Sequence, residues 1–168
     1  MLSRDQIRRI VDEHGHDILA HEHMRIERSS FQHGIVTTYA HSIRVACLAV
    51  WFADRLHLWN RVDQRSLVRA ALLHDYFLYD WHVSDPSHRL HGFTHPFCAL
   101  RNAEHDFALN ARERNIIVRH MFPLVPVPPA CREAWIVCCA DKVCALRETL
   151  KTRVPARFLP RWLRMSGA

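Results

Sequence analysis

The stretch AALLHDYFLY, residues 70–79, sets a histidine and an aspartate, His74 and Asp75, among residues that otherwise want burial. A carboxylate withdrawn from water is costly unless it is paired or bound to a cation. The same anomaly recurs twice. YAHSIRVACLAVWFA (39–53) carries His41 between Val36, Val45 and Leu48, and AWIVCCADKVCAL (134–146) carries Asp141. Two aspartates and two histidines in apolar helical segments are explained economically by a divalent metal. Successive helical residues point about 100° apart, so His74 and Asp75 can both turn toward one ion beside their helix. His41 and Asp141 would reach it from packed neighbouring helices, as in other bundle-core sites. His/Asp ligation without thiolate suits Fe, Mn, Zn, Co or Mg.

Outward from this segment the chain reads as all-α, a single-domain helical bundle. Ser3 with Gln6 forms a capping-box signal ahead of Ile7, Ile10 and Val11, and Gly15 is the expected end of that first helix. A short helix is expected around 17–28. Gly34 precedes an apolar stretch, Ile35 to Leu58, too long and alanine-rich for a strand. The doublet lies in a helix expected from Asp63 to about Tyr79. Residues 80–94 show no period and hold Asp, Pro, Ser, Gly and histidines, which predicts a loop. Helices follow at about 95–108 and 111–121, the second opened by Asn110 with Glu113. Pro123, Pro126, Pro128 and Pro129 forbid continued helix. A last helix is expected at 131–151, and no β-hairpin signal is present.

The length of 168 residues suffices for one domain with a sizeable core. The net charge of +6 is uneven: Lys151, Arg153, Arg157, Arg161 and Arg164 lie in residues 151–168, which carry no acid. The remainder is nearly neutral, so the basic pI reports a tail. That tail interleaves Phe158, Leu159, Trp162 and Leu163, a pattern seen at membrane or nucleic-acid surfaces, but Pro160 interrupts it. Docking on the domain or on a second subunit is an equal reading, and a homodimer is compatible with it. Six cysteines include no Cys-x-x-Cys pair, and Cys138–Cys139 reads as core packing. With no signal peptide and no apolar run near the ~18 residues of a membrane span, the expectation is a cytoplasmic protein without a transmembrane segment.

His41, the His74–Asp75 doublet and Asp141 reproduce an H…HD…D order, within HSIRVA, ALLHD and ADK. His95 in HGFTHP and His120 in RHMFP fall between the doublet and the last aspartate. Over roughly residues 33–150 the chain resembles the HD phosphohydrolase superfamily, in its dinuclear H…HD…H…H…D branch. The resemblance implies two divalent metal ions. His41, His74, Asp75 and Asp141 would hold one, and Asp75 would bridge to a second completed by His95 and His120. A hydroxide shared by the two ions would attack a phosphate ester or anhydride of a nucleotide or small phosphorylated metabolite. It also divides the chain into N-terminal helices (1–32), a catalytic core (33–150) and the tail (151–168). The same ligand set serves HD-fold mixed-valent diiron oxygenases, the alternative activity. A non-catalytic sensor or binding protein is a third reading.

Beyond the ligands, Arg44 lies one turn after His41 and could grip a substrate phosphate, or simply pair with Glu148. Lys142 could stabilise the transition state or pair with a carboxylate. His33, two turns before His41 with Thr37 between, could bind substrate and protonate the leaving group if the helix reaches back that far. Glu148 reads as a second partner of the centre or, slightly better, as a solvated glutamate. His82, His88 and His91 could close over substrate. His14, His16, His21, His23, His57 and His105 read as surface residues. The expected ligand is a small phosphorylated substrate; no DNA partner is expected.

Overall fold

A computed structural model describes residues 1–33, 36–79 and 90–153, with the side chains of 31–33 and 151–153 excepted. The order is α1 (Arg4–Leu19), α2 (Met24–Ser29), β1 (Phe31–His33), β2 (Val36–Thr37), α3 (Thr38–Arg55), a 3₁₀ turn (Trp59–Arg61), α4 (Gln64–Leu73), α5 (His91–Asp106), α6 (Ala111–Arg119) and α7 (Arg132–Arg153). The fold is an all-α bundle with a His/Asp cluster in its core. Among the described residues no helix is long and apolar enough to cross a membrane. The basic tail from residue 154 onward and the loop positions His82 and His88 lie outside the described residues.

Helix α4 is the axis of the bundle. Every residue from Ser66 to Leu73 is buried, as befits a helix enclosed on all sides. It packs against α1, α3, α6 and α7. The close approach of α3 follows from its small residues, since Ala46, Ala49 and Ala53 are all fully buried. Gly15 serves the same end. It does not stop α1 but lies within it, and a Cβ there would collide with the Leu72 side chain on α4. The helix continues to Leu19 because packing on α4, unavailable to a local reading, outweighs glycine's modest helical penalty. The capping boxes at Ser3/Gln6 and Asn110/Glu113 are both formed.

Two other expectations are corrected. Phe31–His33 and Val36–Thr37 pair as short antiparallel strands, where no hairpin was expected. Helix α3 therefore begins at Thr38, with the Thr37 hydroxyl accepting from the Ala40 N–H as its N-cap. Residues 91–94, expected in a loop, are the first turn of α5.

The polar residue inside α4 is Arg69, only 2 % exposed. Its Nε donates to Glu113 Oε1 at 2.9 Å, and its Nη1 pairs with Asp17. Glu113 Oε2 meanwhile accepts from the Asn110 N–H and closes the cap of α6. One ion-pair group thus ties α1, α4 and α6 together. At the far end of α5, Asp106 joins the α1–α2 connection. It accepts from His23 Nδ1 at 2.6 Å, Tyr76 OH at 2.9 Å and His105 Nδ1 at 2.7 Å. His21 and His23, read as surface residues, are therefore half-buried partners of this carboxylate.

Two stability measurements follow. Glu113→Ala leaves the buried Arg69 guanidinium short of a partner and uncaps α6, so chemical denaturation should show a loss of about 3–5 kcal/mol. Burial raises the Asp106 carboxyl, but the His105, His23 and Tyr76 hydrogen bonds outweigh it and hold the group at about 2. A depressed carboxylate contributes stability above its unfolded value, and the contribution disappears as pH falls through the folded one. Melting temperature should accordingly drop between pH 4 and 2 in the wild type, and less steeply in Asp106→Asn.

Candidate metal centre

Helices α4 and α6 both end at the same place, and each ends on a histidine. His74 is the C-cap of α4 and His120 the C-cap of α6. The doublet thus sits just past a helix end, not within a helix running on to Tyr79. The last carbonyls of a helix lack intrahelical partners. Here side chains supply them: His74 Nδ1 donates to the Ala71 carbonyl at 2.8 Å and His120 Nδ1 to the Ile117 carbonyl at 2.7 Å. On α5, His95 Nδ1 donates to the His91 carbonyl at 2.7 Å. A carbonyl only accepts, so each Nδ1 carries a proton, and Nε2, on the opposite edge, is the atom each ring can offer to a metal once that nitrogen is free of a proton.

Those Nε2 atoms converge. His95 Nε2 lies 3.0 Å from His120 Nε2 and 3.2 Å from Asp75 Oδ1, with His120 Nε2 3.5 Å from the same oxygen. His74 Nε2 is 3.3 Å from Asp75 Oδ2 and 3.8 Å from Asp141 Oδ1. His41 Nε2 completes the group, 3.2 Å from Asp141 Oδ1 and 3.8 Å from Asp75 Oδ2. All six side chains are buried. His41, His74 and Asp141 form one trio able to hold a metal ion; His74, Asp75 and His120 form another. The structure therefore brings together all six residues singled out as ligands; His74 is common to the two trios, and Asp75 turns Oδ2 toward His41 and His74 and Oδ1 toward His95 and His120.

Three features show that this donor set fits divalent cations. Acceptor atoms crowd against one another within 3.0–3.8 Å, an arrangement that repels itself without positive charge. The C-termini of α4 and α6, the negative ends of their dipoles, both face the cluster. His74 Nε2 is buried without a hydrogen-bond partner. Without a cation, protons take up the balance. Burial lowers His41, but hydrogen bonds to Asp141 and Glu148 overcome it and raise the ring to about 9. Burial and the charge of His74 push His120 down to about 3. Asp141 is held well below the usual carboxylate range, burial being outweighed by His41 and His74.

A family model described as HD domain matches residues 38–146, well over half of the chain. The chain belongs to the HD domain family. A search of curated proteins and a search of solved structures each returned no match. The matched segment of this HD protein begins at the first residue of α3 and ends within α7, so it contains all six donors.

The remaining candidates have distinct fates. Arg44 does not line the cavity beside the centre; its Nη1 pairs with Glu148 Oε1 at 2.9 Å. Glu148 Oε2 in turn accepts from His41 Nδ1 at 2.8 Å, the carboxylate–histidine pairing that orients metal-ligating imidazoles. Glu148, read as solvated, is only 4 % exposed, because α7 lies against α3 along its length. Lys142 lines the cavity, and its Nζ donates to the His120 carbonyl at 2.6 Å. The backbone of His33 lies in β1 and its side chain is outside the described residues; the strand removes the helical register that would have aligned it with Thr37 and His41. Of the Cys138–Cys139 pair, Cys138 is buried and Cys139 exposed.

Two further buried or cavity-lining residues bear on the site: His91, one of three histidines expected to close over substrate, and Glu27, which the sequence reading did not single out. His91 lines the cavity, stacks on His95 with ring centroids 4.6 Å apart, and meets the Tyr79 hydroxyl through Nδ1 at 3.0 Å. It was grouped with loop histidines because the start of α5 carries no capping signal. Glu27, in α2, is 1 % exposed. Its only sequence signal is the i, i+3 spacing from the equally buried Met24.

The cavity measures about 670 Å³ and opens onto Asp75, His95, His120 and Asp141. Met121, Pro123, Leu124 and Ala145 make its opposing wall apolar. Because His41 holds a proton up to about 9 and must lose it to ligate through Nε2, metal binding should expel protons. Calorimetric titration with Mn(II) near pH 7, in buffers of differing ionisation heat, is expected to show net proton release, with affinity rising as pH approaches 9.

Proposed function

We propose that this HD protein is a metal-dependent phosphohydrolase, cleaving a phosphate ester or anhydride of a nucleotide or small phosphorylated metabolite. Family members are mostly metal-dependent phosphohydrolases. The observation that carries the reading is the convergence of His41, His74, His95 and His120 Nε2 atoms with two carboxylates at the floor of the cavity. Divalent cations held there would polarise a phosphoryl group and make water nucleophilic at neutral pH.

The chain's own residues supply binding, orientation and proton traffic. Asp75, with Oδ2 toward His41 and His74 and Oδ1 toward His95 and His120, would hold cations together with either pair of rings. Lys142 has three N–H donors, of which the His120 carbonyl takes one. Its Nζ also lies 3.6 Å from Asp141 Oδ2, so a phosphoryl oxygen entering the cavity would meet an ammonium group already held beside the donors, where a low-polarity wall strengthens the contact. Met121, Pro123, Leu124 and Ala145 receive the organic portion and exclude bulk water. His91 and His33 are both candidates to protonate the leaving oxygen, and His91 is the one whose side chain lines the cavity. Its Nδ1 contact with Tyr79 turns Nε2 away from that hydroxyl, in the manner of an oriented general acid.

Full-length protein loaded with Mn, Fe, Co or Mg should release phosphate from p-nitrophenyl phosphate or from nucleotides, and Asp75→Ala should reduce that release to background. Absence of phosphate under every metal, with substrate-dependent oxygen uptake by the iron-loaded protein, would replace this reading with diiron oxygenation.

A further inference from the structure

Glu27 is the described carboxylate that the fold leaves without an explanation. It lies on α2, before the HD-matched segment begins, and is 1 % exposed. Neither Oε1 nor Oε2 has a hydrogen-bond partner among the described residues. Its i+3 neighbour Met24 is also buried, so this face of α2 is pressed into the bundle. A carboxylic side chain so placed weakens the fold unless a donor from outside the chain reaches it. Leucine or methionine would fill the same volume at no such cost.

The charged groups it feels are those of the centre. Helix α2 packs against α3, which carries His41. Burial and the charge of Asp75 raise the Glu27 carboxyl well above the usual range, His74 and His41 draw it the other way, and bound cations would draw it down further. Glu27 makes no hydrogen bond with His74 or His41. An acceptor held near a cation site, yet outside contact with its donors, is placed to meet the water that hydrates the cation.

We propose that Glu27 is an additional outer-sphere member of the metal centre, supplied by the N-terminal helices and accepting hydrogen bonds from hydration water of the bound cations. This rests on the metal-centre reading above. It gives α2 a role in the site and explains why an acid is kept where an apolar residue would pack better.

The test uses chelator-stripped, full-length protein titrated with Mn(II), following loss of the free-ion EPR signal, with melting temperatures taken before and after loading. Glu27→Gln keeps shape but cannot be a charged acceptor, and Glu27→Leu removes the acceptor altogether. Both metal-free variants should melt at or above the metal-free wild type, yet bind Mn(II) about 10–100-fold more weakly. Glu27→Asp should recover part of that affinity. Binding within about twofold of wild type in both Glu27→Gln and Glu27→Leu overturns the proposal, since removing an outer-sphere partner has larger effects. Failure of both variants to fold overturns it equally, because Glu27 is then structural. If the wild type itself takes up no Mn(II), the metal-centre reading fails; uptake by the wild type and the variants alike removes only Glu27.

Discussion

The structure is organised around a need for positive charge that the protein supplies only in part. Four imidazoles and two aspartates meet in a buried space at the ends of two helices, and Lys142, its Nζ 3.6 Å from Asp141 Oδ2, sets one cationic group against two carboxylates. Three of the rings have their Nδ1 protons committed to backbone carbonyls, which leaves their Nε2 atoms facing the carboxylates and one another. Such a cluster is stable only with cations or with protons standing in for them. The upward shift of His41 is the second condition expressed in the metal-free protein.

Holding mutually repelling groups together requires a rigid frame, and α4 is its centre. A helix buried on all sides cannot slide or rotate without disturbing every neighbour. The Arg69 pairings fix it to α1 and α6, so the two helix ends that carry His74 and His120 keep their relation. The same C-terminal carbonyls that each helix leaves unsatisfied become the anchors that orient the rings. Helix termination and ligand orientation are here one interaction.

Around the donors lies a layer that decides how they are presented. The chain Arg44–Glu148–His41 links the surface to the centre through two polar contacts. Lys142 binds the backbone at His120 while keeping donors for the cavity. These residues act on substrate or on ligands according to where α3 and α7 lie, and their chemistry alone does not distinguish the roles.

Helical class, both capping boxes and the candidates His41, His74, Asp75 and Asp141 were readable from the sequence, because each depends on local spacing or on the conflict between charge and an apolar neighbourhood; His95 and His120 were singled out only through the resemblance to the HD superfamily. That conflict is a property of the chain before it folds: an aspartate amid alanine and leucine must be answered wherever those residues are buried. What the sequence could not reveal was set by contacts between segments distant along the chain. Gly15 continues a helix because Leu72 presses on it, and of the two roles open to Arg44 the pairing with Glu148 is the one formed, because α3 packs on α7. Glu27, His21 and His23 look like surface residues until the N-terminal helices are laid on the bundle. Periodicity records which face of a segment avoids water; only the tertiary fold decides which other segment that face meets, and therefore which polar groups are left to find partners there.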